Sequence, residues 1–361
     1  MESDLTTMSG SGSKRSCCIN KFREIDGPLI DLRSPKEFEK GHWPGSINLP
    51  LFNNKEREYI GKTYKKEGRN NAILLGLEFT KPRLTLLVKE MKKIKELYKS
   101  NYIGNKDIYI RLYCWRGGMR SSSVNWLANL FDLNSVTLEG GYKNYRKWVL
   151  TEFSKEWNLR VLGGKTGTGK TDILISLAKK GVSIIDLEGL ANHRGSSFGG
   201  LGLSNQPSTE HYENKIAEQL NTSKKNFSNC IWLEDESSNL GQCRIPRDLF
   251  SQMKVAPLLE IYKTEEERIS SLVKIYGVLG KENLKEATKR ISRRLGPQRT
   301  SEALKAIEES NWPLACRAML EYYDKCYEHS LEKIKSKDKI NLSGKNPEES
   351  AEILLKKQLV Y

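Results

Sequence analysis

The sequence predicts an α/β protein made of two parallel-sheet domains in tandem, the second followed by a helical, basic region. Three observations predict it. Short apolar runs alternate with helix-period stretches from Pro28 to Trp148, and apolar runs recur from Leu159 onward. Two glycine-rich loops, Cys114 to Arg120 (CWRGGMR) and Gly164 to Thr171 (GKTGTGKT), each follow an apolar run and open a helix-period stretch. After about Thr264 the pattern turns helical, charged and poor in strands. The boundaries that follow are a flexible N-terminus over 1–24, a first domain over 25–150, a second over 151–264 and a helical region over 265–361.

The elements come in this order. Pro28 to Leu32 is a buried strand, and Ser34 caps a short helix that starts at Pro35 and reaches Lys40. Thr80 to Lys99 carries Leu84, Leu87, Val88, Met91, Ile94 and Leu97 at helical spacing. Asp107 to Cys114 is a strand, Ser121 to Phe131 a helix, and Val136 to Leu138 a strand ending at Glu139-Gly140-Gly141. Thr151 to Trp157 reads as a connector. Leu159 to Leu162 leads into the second loop, with the helix Thr171 to Lys180 behind it. Ser183 to Asp186 and Cys230 to Leu233 are two further strands, and Ala287 to Leu295 and Ala303 to Ile307 flank the breaker Gly296-Pro297.

Composition narrows the function. The net charge is +15 with a pI near 9.3, an excess that favours polyanions, nucleic acid above all, although it also serves solubility. Seven cysteines form no Cys-x-x-Cys pair, which argues against zinc knuckles and a secreted disulfide framework. Residues 1–20 lack the apolar core of a secretory signal, and no apolar run approaches the roughly 20 residues that cross a bilayer. A cytoplasmic protein with no membrane contact and no tightly bound cofactor is expected; the oligomeric state is left open.

The two loops carry the chemistry. Between Cys114 at a strand end and Ser121 in a helix, the chain must turn back through Gly117 and Gly118, aiming amides at its own centre. With Arg116 and Arg120 beside it, Cys114 is placed to react as a thiolate rather than as an inert buried thiol. Five residues separate Cys114 from Arg120, a spacing shared with Cys-dependent phosphatases, but Tyr113 stands where those usually have His. The second loop, Gly164-Lys165-Thr166-Gly167-Thr168-Gly169-Lys170-Thr171, satisfies the Walker A pattern. Its amides and Lys170 suit a phosphate chain, and the Thr171 hydroxyl suits Mg²⁺. Acidic candidates near it are Asp186 and the run Glu234, Asp235 and Glu236; His193 and Arg194 are candidates to reach the ligand across the cleft. Nothing resembles a guanine-reading Asn-Lys-x-Asp, so the ligand need not be a nucleotide. Arg290, Arg293, Arg294 and Arg299, clustered at the helix break, are candidates for nucleic-acid phosphates.

Asp31 to Pro50 (DLRSPKEFEKGHWPGSINLP) resembles the entry signature of rhodanese domains, and Leu138 to Trp148 (LEGGYKNYRKW) their closing segment. Together with the Walker A loop and Asp186 to Ser196 (DLEGLANHRGS), the set resembles the tRNA 2-selenouridine synthase family over nearly the whole chain. That resemblance implies a rhodanese-like domain followed by a P-loop NTPase-like domain. It implies conversion of wobble 2-thiouridine in tRNA to 2-selenouridine through a geranylated intermediate. Geranyl diphosphate and selenophosphate would be the substrates, Cys114 the selenium carrier, and a selenophosphate-producing enzyme a partner. The alternative is a rhodanese-type sulfurtransferase fused to an ATP-dependent kinase or NTPase.

Overall fold

Strands joined through helices pair in parallel, because each crossover carries the chain back to the edge where it started. The computed structural model describes residues 16–104, 106–223, 230–331 and 337–357, and the chain divides into two units between Thr151 and Glu152.

The first unit runs β1 (Ser16–Cys17), α1 (Ile19–Glu24), β2 (Leu29–Asp31), α2 (Pro35–Lys40), β3 (Ile47–Asn48), α3 (Asn54–Glu67) and α4 (Arg69–Thr80). A 3₁₀ turn (Lys81–Arg83), α5 (Leu84–Ser100), β4 (Ile110–Tyr113), α6 (Met119–Leu130), β5 (Ser135–Leu138) and α7 (Gly141–Phe153) follow. The sheet order is β1-β5-β4-β2-β3, every pairing parallel. Ile30, Leu32, Ile110, Leu112, Met91 and Val124 fill its core.

Ser34 and Glu37 close a capping box on α2, as the Ser-Pro start suggests. Just upstream, Arg33 and Asp31 form a fully buried bidentate pair at 2.6 and 3.0 Å. Arg33 also donates to the Gly41 carbonyl and lies 3.6 Å from the centre of the Tyr142 ring. These two signature residues therefore pin the strand end to the loop around Gly41. Losing either would strand a buried charge, at a cost of about 3–5 kcal/mol.

Three expectations for this unit change. The N-terminal segment is structured from Ser16: β1 pairs with Thr137–Leu138, and Phe22 is fully buried; residues 1–15 lie outside the described residues. The helix expected over Thr80–Lys99 starts at Leu84, because Pro82 cannot donate within a helix and the chain passes through a 3₁₀ turn. The connector expected from Thr151 is helical to Phe153, since Tyr145, Val149 and Phe153 recur every four residues and are buried.

The second unit runs β6 (Leu159–Gly163), α8 (Lys170–Lys179), β7 (Ile184–Ile185), α9 (Leu187–Ala191), α10 (Thr209–Ser223) and β8 (Ile231–Glu234). A small antiparallel hairpin, β9 (Asn239–Leu240) and β10 (Cys243–Arg244), precedes α11 (Arg247–Val255) and β11 (Leu258–Tyr262). Then come α12 (Glu265–Tyr276), α13 (Lys281–Arg290), α14 (Ser292–Leu295), α15 (Pro297–Glu308) and α16 (Trp312–Leu331), and finally β12 (Lys337–Asn341) and α17 (Pro347–Lys356). The main sheet is parallel, in the order β12-β11-β6-β8-β7.

The region after Thr264 is therefore not helical throughout. β12 pairs with β11, and Ala351 and Leu354 of α17 join the core around Leu174 and Trp232. The signal is weak because β12 is an edge strand (KDKIN) whose Ile340 is its one core-facing apolar residue.

Candidate active sites

In the first unit, β4 delivers Cys114 to the start of a turn that ends in α6. Cys114 is 3% exposed, and its Sγ lies 3.3 Å from Ser121 Oγ on the first turn of that helix. The turn is braced from below. Tyr142 N–H donates to the Cys114 carbonyl at 2.8 Å and Lys143 N–H to the Trp115 carbonyl at 3.0 Å. Gly117 has φ +63°, and a Cβ there would lie 2.5 Å from the Leu138 carbonyl oxygen, so any larger residue would push the turn off its support. The Glu139-Gly140-Gly141 segment is thus the bed on which the thiol loop rests. Among the described residues, the N–H groups of Trp115, Arg116, Gly117 and Gly118 make no hydrogen bond. With the α6 N-terminus they leave donors for an anion beside the sulfur.

The two arginines differ. Arg116 is exposed and has no ion pair among the described residues. Arg120 is half-buried and donates to Glu37 at 3.2 Å. Burial opposes ionisation of Glu37, but Arg120, the Ser34 N–H and Arg57 outweigh it and hold the carboxyl below its ordinary value. An incoming anion would therefore share Arg120 with a carboxylate already in place.

In the second unit, β6 leads through the Gly164 loop into α8, whose N-cap Gly169 is left-handed. The Lys170 ammonium donates to the Gly164 carbonyl at 2.9 Å, folding back across the loop. The amides of Thr166, Gly167 and Gly169 make no hydrogen bond among the described residues. The helical region clamps this loop. Buried Arg268 donates to the Thr166 carbonyl at 2.8 Å and forks onto Asp324, while Lys165 pairs with Glu328 at 2.7 Å. The helices after Thr264 are therefore part of the phosphate site.

An acidic pair faces the loop. Thr171 Oγ1 donates to Glu188 at 2.8 Å, and the Glu188 and Glu236 carboxylates lie together beside Gly195. Burial first, and then the neighbouring Glu188, raise Glu236 to about 8, although Lys170 works the other way. Gly195 is left-handed (φ +65°), and a Cβ there would crowd the carboxylates at 2.7 Å from Glu188 and 2.8 Å from Glu236. That close approach explains the glycine in the Arg194-Gly195-Ser196 turn.

A cavity collects these groups: the loop, Thr171, Glu188, Arg194, Asp235, Glu236 and Lys254 all line it. Asp186, His193 and Glu234 hold its walls instead. Asp186 caps α9 by accepting from the Gly189 N–H at 2.7 Å. His193 packs under Gly199 and Gly241; burial lowers its pKa, and its Nδ1 has no hydrogen-bond partner among the described residues. Glu234, fully buried on β8, accepts from the Leu187 N–H, and burial with Asp186 and Glu188 nearby pushes it well up. A second, narrow cleft adjoins the first and shares Thr166, Ser196, Leu272, Tyr276 and Tyr323 with it. Phe198, Leu284, Ile307, Trp312, Met319 and Leu320 make it apolar.

A rhodanese-like domain model matches residues 19–147, and a model described as the tRNA 2-selenouridine synthase AAA domain matches residues 157–359. A tRNA 2-selenouridine synthase of Sulfurovum sp. (strain NBC37-1) is 35% identical over 347 residues, covering 86% of this chain and 92% of the relative. The one from Marinobacter nauticus is 32% identical over 339 residues, covering 85% and 89%. The chain belongs to the tRNA 2-selenouridine synthase family. In this family member both motif loops are intact and each is buttressed by its own unit.

Glu188 is the residue that motif reading passed over. It sits inside the Asp-Leu-Glu motif, and only the hydrogen bond from Thr171 on α8 to α9 shows that it reaches the loop. The arginine cluster also looks different in three dimensions. Arg299 is committed to Glu321 and Arg290 sits 3.9 Å from Glu286, whereas Arg293 and Arg294 are exposed with no ion pair among the described residues. Charge is concentrated elsewhere: residues 1–151 hold 27 of the 60 lysines and arginines but 16 of the 45 acids, a net +11 of the chain's +15.

Proposed function

We propose that this chain replaces the sulfur of wobble 2-thiouridine in tRNA with selenium in two steps, one at each loop. At the P-loop the thiouridine sulfur takes a geranyl group from geranyl diphosphate. At the Cys114 loop the selenium of selenophosphate, held beside Sγ, adds to C2 of the base, the C2–S bond breaks to release geranylthiolate, and water takes the phosphoryl group as phosphate. Alkylation turns a poor leaving group into a good one, which gives a reason for two anion sites in one chain. The observation that carries the reading is the apolar lining of the narrow cleft that continues from the phosphate cavity. A nucleotide base asks for hydrogen-bonding partners at the end of its phosphates, and an isoprenoid asks for apolar walls. Phe198, Ile307, Trp312 and Met319 are walls of the second kind.

The P-loop resemblance raises the question of Mg²⁺. Hard oxygen donors beside a phosphate site, a hydroxyl and two neighbouring carboxylates, fit that ion. Thr171, Glu188 and Glu236 would hold it, and it would supply charge neutralisation at the diphosphate. Lys170 and the loop amides would add to that neutralisation.

Mass spectrometry of tRNA nucleosides tests the scheme. Geranyl diphosphate alone should yield geranylated 2-thiouridine and diphosphate, and selenophosphate added afterwards should yield 2-selenouridine. Phosphate release from ATP with no geranylation would instead favour a kinase or NTPase joined to a sulfurtransferase.

For tRNA contact, the exposed pair Arg293 and Arg294 is the proposal within the helical region. Affinity should fall with salt at a log–log slope of roughly −0.7 to −0.9 per phosphate neutralised. Changing both to Ala should flatten that slope by about one to two units without altering turnover of the small substrates. An unchanged slope would move the tRNA surface to the first unit, where most of the excess charge lies.

A further inference from the structure

Beside the thiol loop the first unit has a second opening that the scheme above does not use. It is an open apolar groove between the α3–α4 hairpin and α6. Leu51, Phe52, Ala72 and Leu87 form its buried base, while Leu77 is 60% exposed, Leu84 41%, Tyr64 59% and Trp126 65%. A parallel α/β unit of this size has no folding reason to leave so much large apolar surface together in water. Gly76 on α4 keeps the groove open, since a side chain there would begin in contact with Phe52.

The groove is continuous with the reaction loop. Met119 and Arg120 end the Cys114 turn and also line the groove, followed along α6 by Ser123, Val124 and Leu127. Arg69 reaches over from α4 to within 3.8 Å of Met119 Sδ. With Lys81 and Arg120, and against the single carboxylate of Glu78, it gives the groove a net cationic rim above an apolar floor. A ligand suited to both has a polyanionic body and an apolar branch that starts where selenium is exchanged.

Building on the two-step reading, we propose that this groove binds the geranyl chain of the S-geranyl-2-thiouridine substrate, holding C2 of the base at the Cys114 loop. The P-loop cavity would take the chain as donor, and this groove would take it as leaving group. Chain burial then selects the alkylated base over its unmodified precursor, because 2-thiouridine has nothing to place there.

Two alkylated tRNAs, S-geranyl and S-methyl, separate the groove from the scheme. Both carry an equivalent thioether leaving group, so only the chain differs. With selenophosphate, the wild type should convert the S-geranyl substrate at a kcat/KM at least ~10-fold above the S-methyl one. Leu77→Glu with Leu84→Glu changes two exposed positions, so folding is spared, and should bring that ratio to near one with S-methyl turnover unchanged. Geranylation from geranyl diphosphate should also stay at the wild-type rate in this variant. An S-geranyl to S-methyl ratio that survives in the double variant would overturn the groove assignment. Should neither substrate yield 2-selenouridine with the wild type, the two-step reading fails. Equilibrium binding of the S-geranyl and S-methyl nucleosides to the wild type and double variant then decides the groove. Tighter S-geranyl binding lost in the variant supports it, and equal binding sinks it.

Discussion

Cys114→Ser should lower 2-selenouridine formation by about 10³-fold or more while leaving geranylation of 2-thiouridine within about twofold. The thiol lies at the centre of the turn, 3.3 Å from Ser121 Oγ, and no other cysteine belongs to that loop. Serine is close to isosteric, keeps the turn's backbone contacts and removes the polarisable sulfur. Folding should therefore be preserved, which thermal unfolding of the variant checks. The signature to look for is accumulation of geranylated tRNA when both donors are supplied. A variant that loses geranylation as well would show that the two loops do not divide the work. One that still installs selenium would leave Cys114 as a packing residue and pass the chemistry to Arg116 and the free amides.

How far the sequence alone reaches can be judged residue by residue. Both loops are legible because each is a local device: a strand end, glycines for a tight reversal and a helix start lie within eight residues. The Asp31-Leu32-Arg33 signature is legible as a pattern, but its physical meaning is not. It is a buried ion pair under Tyr142, a contact between segments more than a hundred residues apart. Glu188 was hidden for the same reason, since its partner Thr171 lies 17 positions away on another helix. His193 and Glu234 were drawn toward the cleft by their chemistry, yet both face inward and brace it. Polar type alone does not say which side of a wall a residue occupies. β12 leaves little trace in the sequence because an edge strand needs only one apolar face, and nothing local in the helices after Thr264 shows that Arg268 and Glu328 grip the P-loop. Short-range grammar is written in the sequence, and long-range pairing is not.

Lys170→Ala should reduce geranyl transfer by about 10²- to 10³-fold, with tRNA affinity changed by less than about threefold. The Lys170 ammonium sits across the loop at 2.9 Å from the Gly164 carbonyl, so it is already oriented before any ligand arrives. Preorganised charge of this kind acts on the transition state, where negative charge builds on the departing diphosphate, more than on the bound donor. The loss should therefore appear mainly in kcat, with a smaller rise in KM. Lys170→Arg tests the geometry, because a planar fork cannot occupy the turn that a compact ammonium fills, and it should restore little of the rate. Lys165 offers an internal control. It lies in the same loop but is held by Glu328 and Asp324, so Lys165→Ala should act through loosened anchoring and cost stability as well as rate. Once geranylated tRNA is supplied ready-made, Lys170→Ala should install selenium at the wild-type rate. A slow second step in that experiment would mean that the P-loop serves the selenium transfer as well, and that the diphosphate is not its only ligand.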